Sequence, residues 1–165
     1  TVIFFTSSES SALMIGLNIS GLTKASEVVL KGKVVKTTSY WGEGDFIVTR
    51  ASLRVQKVIK GKVAQKKIVV EYLGGEIGDI GFSVSDMPTL KRGENVILFL
   101  ESQKAENNTV NENVYKIVGN AQGKYTVGSD NVAKRSGFCV VNEESIVDED
   151  NVIIDDLINK IEEVK

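Results

Sequence analysis

The sequence predicts a mainly β protein: a closed or partly closed antiparallel β-barrel with a short N-terminal helix and a C-terminal α-helix. Three observations carry this. From Ile47 to Ile59 the residues alternate, with Ile47, Ala51, Leu53, Val55 and Ile59 on one face and Val48, Arg50, Ser52, Arg54 and Gln56 on the other. A period of two sends neighbouring side chains to opposite faces of a strand, so one side meets a core and the other meets water. Gly32 interrupts the apolar run Val28–Lys36, as glycine does where a strand bends at a barrel corner. Near the end the period changes, and Ile154, Leu157, Ile158, Ile161 and Val164 form a helical stripe.

Taken in order, residues 1–16 hold two short apolar runs, Val2–Phe5 and Ala12–Ile15, around a serine-rich break. Asn18 is placed to cap a helix reaching about Ala25. A first strand follows, then a turn at Tyr40–Asp45 carrying Gly42 and Gly44, then the long alternating strand, so the first two strands should form a hairpin. Lys66–Leu73 is a third strand with Ile68, Val70 and Tyr72 inward, ended by Gly74-Gly75. Ile77–Val84 reads as a glycine-broken edge strand or loop. Asn95–Leu100 is apolar without alternation, which predicts burial on both faces. Val114–Val118 and Lys124–Val127 are short strands around a glycine-rich joint, and Phe138–Val141 is a last one. Asp150 or Asn151 should cap the final helix, about residues 151–164. All 165 residues form one domain, with the barrel over about 26–141.

Composition removes several functions. The chain has no histidine, hence none of the commonest general base, metal ligand or pH switch. Cys139 stands alone, so no internal disulfide forms, and its apolar neighbours suggest a core residue. No apolar run is long enough to span a bilayer as a helix. Charge is lopsided. Residues 24–67 carry eleven Lys and Arg against three acids, a balance of +8, and residues 101–165 carry thirteen acids against seven bases. Either the two segments pack together or the basic one faces an anionic partner.

No catalytic or metal constellation stands out. Asp148-Glu149-Asp150 lacks calcium-loop spacing, and Asp155-Asp156 sits where acids suit a helix start anyway. Ser20 and Lys24 are one residue too far apart for a Ser-x-x-Lys pair, and no serine has a histidine to activate it. The glycines around Gly74-Gly75 lack the context of a phosphate loop. Asn18 and Asn107 head glycosylation-type triplets. The expectation is therefore a non-enzyme with no cofactor and no metal site.

The runs Ser26–Val34 and Val55–Gly61 resemble the opening hairpin of netrin-like domains, the OB-fold barrels that include tissue inhibitors of metalloproteinases. Gly93–Leu100 and Gly119–Lys124 are similar to segments of prokaryotic secreted or envelope domains. The resemblance covers about residues 19–127. It implies an OB-like (netrin-like) barrel, an extracellular or cell-envelope location, and ligands held on the face of strands two and three or in the end loops. The inhibitors use an N-terminal cysteine on the protease zinc, which has no counterpart at Thr1, so that role ranks third.

The leading expectation is a binding module for a protein or a glycan. The alternative is single-stranded nucleic acid or another polyanion, bound through the basic region. The candidate ligand-binding residues are Tyr40 and Trp41 in the first loop and Lys31, Lys33, Arg50 and Arg54 on the outer strand faces. Trp41, the only tryptophan, is either an anchor for a partner or a plug in the barrel's end, and its size favours the plug.

Overall fold

A computed structural model describes residues 16–103, 114–135 and 149–164. The elements run α1 (Ile19–Ala25), β1 (Val28–Trp41), β2 (Ile47–Lys60), β3 (Lys67–Leu73), β4 (Gly75–Ile77), β5 (Ile80–Phe82), β6 (Asn95–Ser102), β7 (Val114–Ile117), β8 (Lys124–Val127), β9 (Val132–Arg135), β10 (Asn151–Ile153) and α2 (Ile154–Glu163). Strands β1, β2, β3, β7 and β6 pair in a ring that closes because β6 also pairs with β1. The expected closed barrel with helices near both ends is therefore present. It is antiparallel except at β3–β7, where Val69 and Val70 run parallel to Val114 and Tyr115. Beyond the ring, β8, β9 and β10 extend the sheet from β6, and β4–β5 form a separate hairpin.

The unbroken apolar run of β6 has the consequence its pattern predicts. Val96, Leu98 and Leu100 point into the barrel beside Leu30, Val34, Leu53, Ile68 and Val70. Ile97 and Phe99 point the other way, into a second core with Ile19, Leu22, Val29, Tyr125, Leu157 and Ile161. One strand is thus the wall between two cores. The helices and β8–β10 cover only that side, so the exterior of β1–β3 from Lys33 onward keeps its cationic residues exposed. The register shift beside Gly32 matches the expected bend. A Cβ there would press on the Arg54 carbonyl oxygen at 2.9 Å.

Both helices are fixed by contacts from distant strands. The Asn18 side chain caps α1 by accepting from the Gly21 N–H at 2.8 Å, and the buried Glu149 carboxylate accepts from the Ile19 N–H at 2.6 Å. At the other end, the Lys60 ammonium donates to the Thr23 and Ser26 carbonyls, the first of which also accepts from the Ser26 N–H at the helix C-cap. Helix α2 buries Ile154, Leu157, Ile158 and Ile161, its expected stripe. It starts three residues later than predicted. Asn151–Ile153 instead pairs with β9, Asp150 accepts from Arg135 rather than capping, and the Ile154 N–H is satisfied by the Asn131 carbonyl. Tertiary pairing has overridden a local capping preference.

Further differences follow from packing. β1 runs to Trp41, five residues past its expected end, because the β2 partner continues to Ile47. The turn shrinks to Gly42–Phe46. β9 and β10 lacked a readable pattern, since only Ala133 and Val152 are buried on them. The segments 1–15, including Val2–Phe5 and Ala12–Ile15, and the predicted strand Phe138–Val141 with Cys139, lie outside the described residues, as does Asn107.

Leu157 is fully buried and Ile153 is half exposed. Leu157→Ala should cost about 2–5 kcal/mol in a urea melt, whereas Ile153→Ala should cost under about 0.5 kcal/mol. Equal effects would mean that α2 is not docked in the second core.

Candidate functional site

The inward face of the β1–β2 hairpin changes character along its length. Val34, Ala51 and Leu53 fill the barrel, but towards the hairpin tip the inward positions become Thr37, Ser39 and Thr49. Hydroxyls replace methyls where the barrel opens to solvent. There a cleft of about 740 Å³ lies between these strands, the end of β3, the β4–β5 hairpin and the Ser83–Thr89 loop. Ser39 and Thr49 share a hydrogen bond of 2.8 Å, and the Thr49 hydroxyl donates to the Gly74 carbonyl at 2.6 Å. The chain turns over this pair at Gly75, whose φ of +137° and contact with both hydroxyls leave no room for a Cβ. The Tyr72 hydroxyl accepts from the Leu90 N–H at 3.2 Å, and burial pushes its pKa up, so it stays protonated as a donor. Glu76 is the one carboxylate among the lining residues.

The rim is apolar. Phe82 lines the cleft and packs on Phe46 from the β1–β2 turn, with ring centroids 5.5 Å apart. Phe46 is 47% exposed, Ile80 is 54% and Trp41 is 50%. Strand alternation puts Trp41 on the same face as Thr37 and Ser39. The plug reading of Trp41 is overturned, because a side chain half in water closes nothing.

Tyr40, expected to serve beside Trp41, has another role. It points outward, donates its hydroxyl to Glu71 Oε2 at 2.6 Å, and lies under the Arg50 guanidinium, 5.3 Å from the ring centre. Arg50 Nε meets the same Glu71 oxygen at 2.7 Å. These three residues bind β1, β2 and β3 together from outside, so Tyr40 and the exposed Arg50 are both engaged with Glu71. Burial, the Glu71 hydrogen bond and the Glu71 charge push the Tyr40 pKa up to about 12. Burial opposes the charge on Glu71, but hydrogen bonds from Tyr40 and Arg50 and the Arg50 charge outweigh it and hold the carboxyl below its ordinary range.

The remaining candidates separate by position. Lys33 and Arg54 stand opposite one another, exposed, and Arg54 stands opposite Lys67 on β3. Lys31 is half-buried opposite Lys57. Among the described residues, the ion pairs do not join the acidic 101–165 segment to this basic face. Arg50 pairs with Glu71, while the pairs Lys124–Glu94, Arg135–Asp150 and Lys160–Glu149 lie elsewhere. Glu149, part of an acidic run without calcium-loop spacing, is buried and holds the Ile19 N–H. Among the described residues no group of three His, Cys, Asp or Glu converges as a metal site, and no helix is long and apolar enough to cross a membrane. The cleft residues escaped the sequence reading, although the run of inward hydroxyls at positions 37, 39 and 49 was visible in it.

Two predictions follow from this geometry. Because the Glu71 pKa is lower folded than unfolded, its contribution is present above the unfolded value of about 4.3 and is lost as pH falls through the folded one. Glu71→Gln should therefore be less stable than the parent at pH 7, with the difference closing below about pH 4 in urea melts. A constant difference would remove the electrostatic explanation. For Trp41, fluorescence should resemble that of solvated indole and be readily quenched by acrylamide, and Trp41→Ala should cost less than about 1 kcal/mol of stability. Blue-shifted, protected emission would restore the plug.

No protein-family model matches the chain, and no curated protein matches it.

Proposed function

We propose that this chain is a non-catalytic binding module of the OB, netrin-like type, acting outside the cell or in its envelope, that takes a glycan or a protein segment at the open mouth of its barrel. The observation that carries this is the mouth cleft, hydroxyl-lined within and aromatic at its rim. Hydroxyls and the backbone of the Gly74–Gly75 corner suit the many donors and acceptors of a sugar, and exposed rings suit its apolar faces or a partner's side chain. The five-strand ring with a single parallel pairing supports the OB-type reading.

A non-catalytic role is supported by the equipment present. Glu76 has no second carboxylate beside it in the cleft lining, which paired-carboxylate hydrolysis needs, and the chain offers no histidine as an alternative base.

A panel of neutral oligosaccharides and peptides, titrated against Trp41 emission, tests the reading. A ligand should shift the emission, and Phe82→Ala should weaken it by about 2 kcal/mol or more, as for an interface anchor, while the fold stays intact by circular dichroism. A ligand whose affinity is indifferent to Phe82 and Trp41 would place recognition elsewhere. Turnover of esterase, phosphatase or glycosidase substrates above a heat-killed control would overturn the non-catalytic assignment.

A further inference from the structure

The exterior of β1–β3 carries an arrangement that the mouth cleft does not explain. Lys33, Arg54 and Lys67 stand in register across three adjacent strands. All three are exposed. All point outward, since their neighbours Val34, Leu53 and Ile68 fill the barrel. Lys36 follows on the same face, exposed and opposite Ser52. Like charges placed directly opposite across a sheet repel and destabilise it. Nearby acids bring no relief, because Glu71 is held by Tyr40 and Arg50, and Glu94 by Lys124 and Thr126. Among the described residues none of these four cations enters an ion pair.

We infer that this row is a second binding site, distinct from the mouth, for a linear acidic polysaccharide. Strand spacing sets the match: neighbouring strands lie about 4.8 Å apart and alternate residues of one strand about 7 Å, so three cations fall within about 10 Å with a fourth beside them. An extended chain bearing an anion on successive sugars, laid across the strands, meets these cations in sequence and relieves their repulsion. Gln56 and Asn95, which hydrogen-bond to each other at 3.3 Å beside the row, offer partners to sugar hydroxyls. A nucleic acid fits less well. Single-strand sites join cations to rings on which bases stack, and the ring this face offers, Tyr40, is covered by Arg50 and tied to Glu71.

The test measures binding of the full chain by calorimetry at about 50 and 200 mM salt, with polygalacturonate, heparin, neutral dextran and oligothymidylate as probes. Two variants lose the same charge: Arg54→Gln with Lys67→Gln in the row, and Lys24→Gln with Lys134→Gln away from it. Polygalacturonate or heparin should bind the parent and the remote variant alike. The row variant should bind at least about tenfold more weakly, with its log–log salt slope reduced by about two. Its melting temperature should hold or rise, because a repulsion has been removed. No binding of either polysaccharide at low salt, equal losses in both variants, or tighter binding of oligothymidylate through the same row would each overturn the inference. Neutral-ligand binding at the mouth should be unchanged in the row variant, so the two sites stand or fall separately.

Discussion

The structure depends on β6 being buried on both faces. A strand in a closed barrel has one face on the interior, and its other face would ordinarily meet water. β6 is apolar from Val96 to Leu100, so its exterior face also requires cover. Helices α1 and α2 and the strands β8–β10 supply it, with Phe99 against Tyr125 at 6.1 Å and Leu157 and Ile161 in the same cluster. Each large side chain so buried contributes about 1.5–3 kcal/mol before ordering costs. That layer is held in place by polar contacts that span the chain, among them Glu149 to Ile19 and Arg135 to the Leu17 carbonyl.

This one-sided cover sets which faces of the barrel the described residues leave exposed. The helical layer sits behind β6 and β1's first residues, and no other described residue covers the opposite wall or the mouth. On that open wall the rows change from cationic at Lys33–Arg54–Lys67 to the internally neutralised Tyr40–Arg50–Glu71 cluster. The closed cluster braces the long hairpin below its tip, where Phe46 packs on Phe82 of the cleft lining and Trp41 is exposed. In the proposed reading, stability and recognition fall to different rows of the same three strands.

What could be read from the sequence was whatever a repeating pattern imposes. The alternation in β2, the unbroken run of β6 and the stripe of α2 each had one packing solution, and the barrel followed from them. Asn18 was legible as a cap because its partner lies three residues away. The elements missed are those whose partners are distant: β10, which exists because β9 pairs with it, and Glu149, whose role depends on Ile19. The site was partly legible. Lys33 and Arg54 were found by charge and face, but their alignment with Lys67 depends on register. The engagement of Tyr40 and Arg50 by Glu71 was not legible, because Glu71 sits on another strand. The mouth hydroxyls left a trace in the pattern of β1, but their convergence depends on the hairpin that folds over them.

The most direct test is native-state amide exchange read residue by residue. If β6 is the shared wall, the amides of Val96–Leu100 should be the slowest in the protein and should exchange only with global unfolding, while the β4–β5 hairpin over the cleft exchanges fastest among the strands. Exchange of β6 at the rate of the helices, with β2 and β3 still protected, would contradict the account, because β6 would then open with the helical layer instead of joining the two cores.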